Sequence, residues 1–223
     1  GSFLGACILV GIIVLGVFMT LLVSRLLSAT LLKGVPSSFT LEMPPYRKPQ
    51  ILKVIVRSIV DRTIKVLGRA MVSAAPAGLI IWLLANIRLQ NQTTLLNSLT
   101  GLLDPFARAI GMDGCILTGF LLGLPANEIV VPIIIMTYMA GGSLIEIEGA
   151  QLLQLFTANG WTWITAVSTI LFSLMHWPCA TTCLTIKKET GSLKWTLLSF
   201  LLPTVCGILI CFLFTTAARL LFS

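Results

Sequence analysis

Charge is scarce in this chain. Of its 223 residues only 10% are Asp, Glu, Lys or Arg, while 57% are hydrophobic. A soluble domain carries about 25% charged residues, so that class is excluded. Histidine occurs once, which rules out a multi-histidine metal centre within the chain. There is no Walker A pattern, no G-x-G-x-x-G and no C-x-x-C, hence no motif for cradling phosphate and none for paired-thiol redox chemistry. No His, Asp and Ser are arranged for nucleophilic catalysis, and the chain reads as a non-enzyme. The alternation of a membrane β-barrel is missing as well.

What is present is apolar length. Phe3–Ser24, Ala70–Ile87, Gly149–Ile186 and Trp195–Ala218 carry no charged residue. Each reaches or approaches the roughly 20 residues that cross a bilayer. The fold class is therefore an all-α polytopic membrane protein: a helix bundle with broken or re-entrant helices and one amphipathic interfacial helix. Phe3–Ser24 lacks a basic n-region and a small-residue cleavage site, so it reads as a transmembrane helix rather than a signal peptide. With no initiating methionine, the chain is expected to be a fragment or processed form.

The net charge of +7 is concentrated. Arg25, Lys33, Arg47, Lys48, Lys53, Arg57, Arg62, Lys65 and Arg69 face only Glu42 and Asp61. Such a basic segment between spans is expected on the cytoplasmic side, against anionic headgroups. Nucleic acid is set aside as a partner, because no aromatics interleave the charges and spanning helices flank them. The six cysteines lie mostly in apolar runs and do not form a disulfide pattern.

Four regions follow. Residues 1–33 form a first transmembrane helix. Residues 34–50, with Pro44, Pro45 and Pro49 around Tyr46, make a proline-rich linker that is extended like a strap. Residues 51–69 form an amphipathic helix, with Lys53, Arg57, Asp61, Lys65 and Arg69 recurring every four residues. That pattern suits a helix in the headgroup plane, the alternative being a solvated helix face. Residues 70–223 form the main transmembrane domain, in which Arg88–Asp113 reads as a polar segment on the far side.

Two places in the last region are broken. Gly114–Gly142 is apolar but interrupted by Gly119, Gly123, Pro125 and Pro132, with Glu128 in its middle. Two half-helices joined by Gly123-Leu-Pro-Ala-Asn127 fit it better than one straight span, and discontinuous helices form transporter sites. Glu128 is the only acidic residue within an apolar run, so it is a functional candidate; the alternative is a carboxylate capping the second half-helix. The other break is His176-Trp-Pro-Cys-Ala-Thr-Thr182. Pro178 interrupts the helical bonding there, and freed backbone groups in hydrocarbon are tolerated only against protein or a watery cavity. A short helix, Ala180–Ile186, and an interfacial turn, Lys187–Lys194, are expected after it. Trp161, Trp163, Trp177 and Trp195 read as interfacial belt residues.

The segments Gly123-Leu-Pro-Ala-Asn-Glu-Ile-Val-Val-Pro132, His176-Trp-Pro-Cys-Ala-Thr-Thr182 with Thr185–Ser192, and Leu41-Glu-Met-Pro-Pro-Tyr-Arg-Lys-Pro49 resemble the FeoB family of bacterial ferrous-iron transporters, in the family's order. The resemblance implies the C-terminal membrane region: the connecting segment and second gate of a multi-pass protein of the bacterial inner membrane. It implies Fe²⁺ as transported substrate, and no cofactor in this chain. It also implies a separate GTP-binding GTPase domain and first gate region without counterpart here, and it leaves room for a small cytoplasmic FeoA-like partner and a homo-oligomer. Cys179 matches the cysteine of the second gate motif, and Glu128 the carboxylate of the PANE-like motif. Fe²⁺ accepts thiolate, imidazole and carboxylate, so Cys179, Glu128, His176 and Cys183 are the candidate ligands of the passing ion. Packing roles are the alternatives for both cysteines, and a hydrogen-bonded structural role for the histidine. Two other functions stay open: a gate-fold transporter of a nucleoside-like solute, and a non-transporting membrane subunit that docks a GTPase.

Overall fold

The computed structural model describes residues 2–30, 50–88, 94–139, 147 and 149–222. The proline-rich strap over 34–50, apart from Gln50, lies outside the described residues. The chain divides into two compact units, 1–65 and 66–223.

The first unit begins with α1 (Ser2–Ala29), inside the first transmembrane helix expected over residues 1–33. Its polar residues are accommodated within the helix, as where Thr20 donates to the Gly16 carbonyl at 2.9 Å. The amphipathic stretch forms α2 (Ile51–Ser58) and then a π-helical segment, Ile59–Ile64. Lys53 and Arg57 are exposed, and so are Ile51, Leu52, Ile55, Val56 and Ile59.

The second unit holds α3 (Lys65–Asn86), α4 (Leu95–Ala109), α5 (Gly114–Leu122), a short 3₁₀ turn (Asn127–Ile129), α6 (Val130–Tyr138), α7 (Ala150–Ala158), α8 (Trp163–Met175), α9 (Ala180–Thr190) and α10 (Leu193–Phe222). Within the polar segment Arg88–Asp113, residues 95–109 form helix α4. Its apolar residues Leu96, Leu99, Leu103, Ala107 and Ile110 recur every three or four positions, and that period outweighs the polar content. Thr94 caps it, accepting from the Asn97 N–H at 3.2 Å. One face of α4 joins α3 and α6 in a core of Ile81, Ala85, Leu96, Ile133 and Met136.

α5 and α6 are the two expected half-helices, and they run antiparallel. A Cβ on Gly119 would meet Ile134 at 2.6 Å, and one on Gly123 would meet Val130 at 2.4 Å. The glycines are thus what allows the two helices to close. α8 and α10 are also antiparallel: Ser168 lies 3.3 Å from Thr215 through their hydroxyls, and Gly207 packs on the Met175 backbone.

By length and composition, three stretches of the described residues can cross a membrane: Gly5–Ala29, Trp163–Thr190 taken across its break, and Leu193–Phe222. α4 and α5, bent by 108°, would make a fourth. The apolar part of α3, Ala74–Asn86, is shorter than the Ala70–Ile87 span expected. α9 runs four residues past Ile186, so Lys187 and Lys188 belong to a helix and not to a turn. No breaker precedes Gly191, whose φ of 61° ends the helix in the left-handed conformation, and basic residues are favoured in a last turn.

Candidate functional site

The two breaks meet. α8 ends at Met175, its last bond being the His176 N–H to the Phe172 carbonyl at 2.7 Å. His176, Trp177, Pro178 and Cys179 are non-helical, and Cys179 is the residue that begins α9, with φ −61° and ψ 159°. The first N–H of that helix, on Ala180, donates to the Leu124 carbonyl at 2.8 Å. Leu124 sits at the tip of the α5–α6 hairpin. A helix start leaves N–H groups without intrahelical partners, and the bend between half-helices leaves carbonyls free, so each break satisfies the other.

An aromatic chain fixes the region. Phe120 of α5 packs edge-on to Phe172 at 4.9 Å and against the His176 ring at 5.2 Å. Trp177 meets Phe172 at 5.7 Å and stacks on Phe200 of α10 at 5.9 Å. Trp177 is only 7% exposed. The expected belt position is therefore corrected: aromatic partners on α8 and α10 draw this ring into the interior.

The candidate residues differ in setting. Cys179 is partly buried, with its sulfur 3.0 Å from the Thr181 hydroxyl and 3.1 Å from the Thr182 hydroxyl. Cys183 follows one turn on and donates weakly to the Pro178 carbonyl at 3.6 Å. His176 has Nδ1 2.8 Å from the Ser173 carbonyl. A carbonyl only accepts, so Nδ1 carries the proton and Nε2 keeps a bare lone pair. Among the described residues Nε2 is buried without a partner, as is the Trp177 Nε1. Glu128 is exposed on the 3₁₀ turn beyond the hairpin tip, and among the described residues its side chain is not bonded to the other three. Cys179, Cys183 and His176 are thus gathered at one break, with Glu128 on the neighbouring one. Among the described residues no three His, Cys, Asp or Glu side chains form a group able to hold a metal ion.

A second polar cluster, at the base of the hairpin, was missed by sequence reasoning. Asp113 caps α5 by accepting from the Ile116 N–H at 2.8 Å, and its other oxygen accepts from the Tyr138 hydroxyl. Tyr138 accepts in turn from Trp161 Nε1 at 2.7 Å. The signal was an Asp immediately before an apolar run, which marks a helix start; nothing local linked it to Tyr138 or Trp161.

Two family models match the chain. The model for the ferrous iron transport protein B C terminus matches residues 9–62, and the gate model described as nucleoside recognition matches residues 67–193, more than half of the chain. Among curated proteins, the Fe(2+) transporter FeoB of Staphylococcus aureus (strain MSSA476) is 30% identical over 217 residues, covering 93% of this chain and 31% of its own length. The Fe(2+) transporter FeoB of Campylobacter jejuni is 24% identical over 228 residues, covering 96% of this chain and 37% of its own length. That of Methanocaldococcus jannaschii is 24% identical over 221 residues, covering 93% and 32%. The chain thus spans about a third of the length of these curated relatives. No solved structure matches it. With the C-terminal and gate models following one another along it, the chain belongs to the FeoB family and represents that family's C-terminal membrane region.

Proposed function

We propose that this chain is the membrane part of a GTPase-coupled ferrous-iron uptake transporter, with the ion path running past the break at Cys179. The observation that carries the reading is the Ala180–Leu124 hydrogen bond, which brings two discontinuous helices to one point. Discontinuous helices meeting inside a membrane domain are where transporters handle polar cargo. Depth agrees: α8 has 13 residues, hence roughly 20 Å of rise before the break, inside a hydrocarbon core of about 30 Å.

Fe²⁺ would reach the Cys179 sulfur as thiolate and the bare Nε2 of His176 as imidazole, both ligands it accepts. A ring nitrogen that donates to a backbone carbonyl orients the opposite nitrogen for a metal. Cys183 is the next sulfur along α9, and Glu128 offers an exposed carboxylate near the approach. With fewer than three such side chains at a time, water completes the shell, and a site held so loosely releases its ion. The energy source is GTP hydrolysis in the GTPase domain that the family resemblance implies. The basic segment over 33–70 faces the cytoplasm and that domain, in the bacterial inner membrane.

The test is Fe²⁺ uptake by the complete transporter carrying Cys179→Ser. Uptake should fall at least about tenfold at equal protein level, since losing even a group that only supports a metal ligand costs about 10- to 100-fold. Unchanged uptake would remove Cys179 from the path.

The description of the gate model as nucleoside recognition favours a second reading, a polar organic solute contacted by Asn127, Glu128 and Thr181. Competition separates the two. Uptake abolished by Fe²⁺ chelation supports iron; uptake blocked by nucleosides supports the solute.

A further inference from the structure

We propose that Thr181 and Thr182 are positioning residues that hold the Cys179 sulfur in the orientation that meets the passing cation. The inference rests on the iron-path reading above and adds two residues to it.

Four helical threonines elsewhere in the chain turn their hydroxyls back along the helix. Thr137 donates to Ile133, Thr169 to Thr165, Thr185 to Thr181 and Thr204 to Phe200, each to the carbonyl four residues before. Thr181 and Thr182 stand in the first turn of α9, where no earlier helical turn supplies carbonyls. Both hydroxyls close on one sulfur instead, at 3.0 and 3.1 Å. A thiol has one hydrogen for two contacts, so at least one threonine donates. Once the sulfur is the thiolate that binds metal, it has no hydrogen and both hydroxyls must donate.

Two such contacts fix a torsion that is otherwise free. A cysteine side chain has three staggered positions about χ1. With the hydroxyls removed, the sulfur spreads over them, and the ion meets a correctly placed ligand in only a fraction of molecules. Apparent affinity falls by that fraction, to about a third for three equal positions. The surroundings point independently to a ligand at this break. Among the described residues Trp177, 7% exposed, has a buried Nε1 without a partner, and His176 has a buried Nε2 in the same condition.

The experiment compares T181V/T182V with T181S/T182S in the complete transporter. Valine keeps the branched shape without the hydroxyl; serine keeps the hydroxyl without the methyl. The valine pair should raise the KM for Fe²⁺ about threefold or more, with Vmax at equal protein level held within about twofold, and the serine pair should restore the KM. A wild-type KM in the valine pair overturns the proposal, and so does a KM raised equally in the serine pair. Alkylation of Cys179, followed on its own peptide by mass spectrometry, gives a readout independent of transport. A rate in the valine pair about threefold or more away from both wild type and the serine pair supports the clamp, and equal rates overturn it. Single T182V keeps this measurement available if the double variant is poorly folded. Should Cys179→Ser transport normally, the iron-path reading fails while the alkylation rates still decide the clamp.

Discussion

The Ala180 N–H and the Leu124 carbonyl, 2.8 Å apart, join the start of α9 to the tip of the α5–α6 hairpin. This bond can be removed with little other change. Ala180 is the first residue of α9, where proline is favoured, and Cys179 already has the φ of −61° and ψ of 159° that a residue before proline adopts. Ala180→Pro should leave α9 intact and destabilise the protein by about 1–3 kcal/mol, because the Leu124 carbonyl loses its donor. The thermal midpoint in detergent should drop by a few degrees. Hydrogen exchange should rise over 120–130 while remaining unchanged over 181–190. Loss of protection along the whole of α9 would show that the substitution broke the helix and not the junction.

Gly111 offers a sharper test of packing. Its φ is 81°, and a Cβ there would lie 2.3 Å from the Thr215 hydroxyl and 2.4 Å from that of Ser168. Gly191 has a similar φ of 61° but open space around it. Gly111→Ala therefore combines backbone strain with a clash against two buried groups and should destabilise by about 3 kcal/mol or more, whereas Gly191→Ala should cost about 1 kcal/mol. Thermal unfolding of the two variants side by side checks the order. Equal midpoints would mean that the corner between α4 and α5 does not rest on α8 and α10.

Much of this was legible in the sequence because glycine, proline and charge act locally. The gap at Gly123–Ala126, the interruption around Pro178 and the all-helical class follow from residues that cannot continue a helix or cannot leave a membrane. α4 was less legible, because Asn97, Ser98, Asp104 and Arg108 obscure an apolar period that becomes clear only beside the α3 and α6 partners. The meeting of Leu124 with Ala180 was not legible at all. Both are backbone groups, 56 residues apart, and their pairing depends on how α5 and α8 pack through Phe120 and Phe172. Trp177 was misplaced for the same reason, since its burial comes from Phe200, on another helix.

The hairpin base makes a prediction about coupling. Tyr138 donates to Asp113 and accepts from Trp161, linking α6, α5 and the segment before α8 through one hydroxyl. Tyr138→Phe leaves both neighbours without that partner and should destabilise by about 1–3 kcal/mol. Trp161→Phe removes one arm only and should do less. Because the two act through one hydroxyl, the double variant should be more stable than the sum of the single losses implies. Full additivity would show that the chain of hydrogen bonds is not formed in the membrane.

The same base bears on a question of sidedness. A full crossing by Gly114–Gly142 would put the two ends of α5–α6 on opposite sides, and Lys187 outside. Asp113 and Tyr138 are instead bonded to each other, which favours a pair that enters and returns on one side as a re-entrant hairpin. Trp161 is tied to that side, and so is Arg219, which donates to the Arg108 carbonyl at 2.8 Å. Trp163–Thr190 and Leu193–Phe222 are each long and apolar enough to cross, which would carry the chain over to Lys187 and Lys188 and back to Arg219. Lys187 and Arg219 are then expected on opposite sides, and the positive-inside rule predicts the cytoplasm for the lysine side, with Lys194 nearby. A membrane-impermeant amine reagent should spare Lys187 and Lys188 in intact cells and modify them in inverted vesicles. Cysteine placed at Ser223 should show the reverse with an impermeant maleimide. Labelling of Lys187 from outside would reject this assignment of sides and place the hairpin base on the cytoplasmic side.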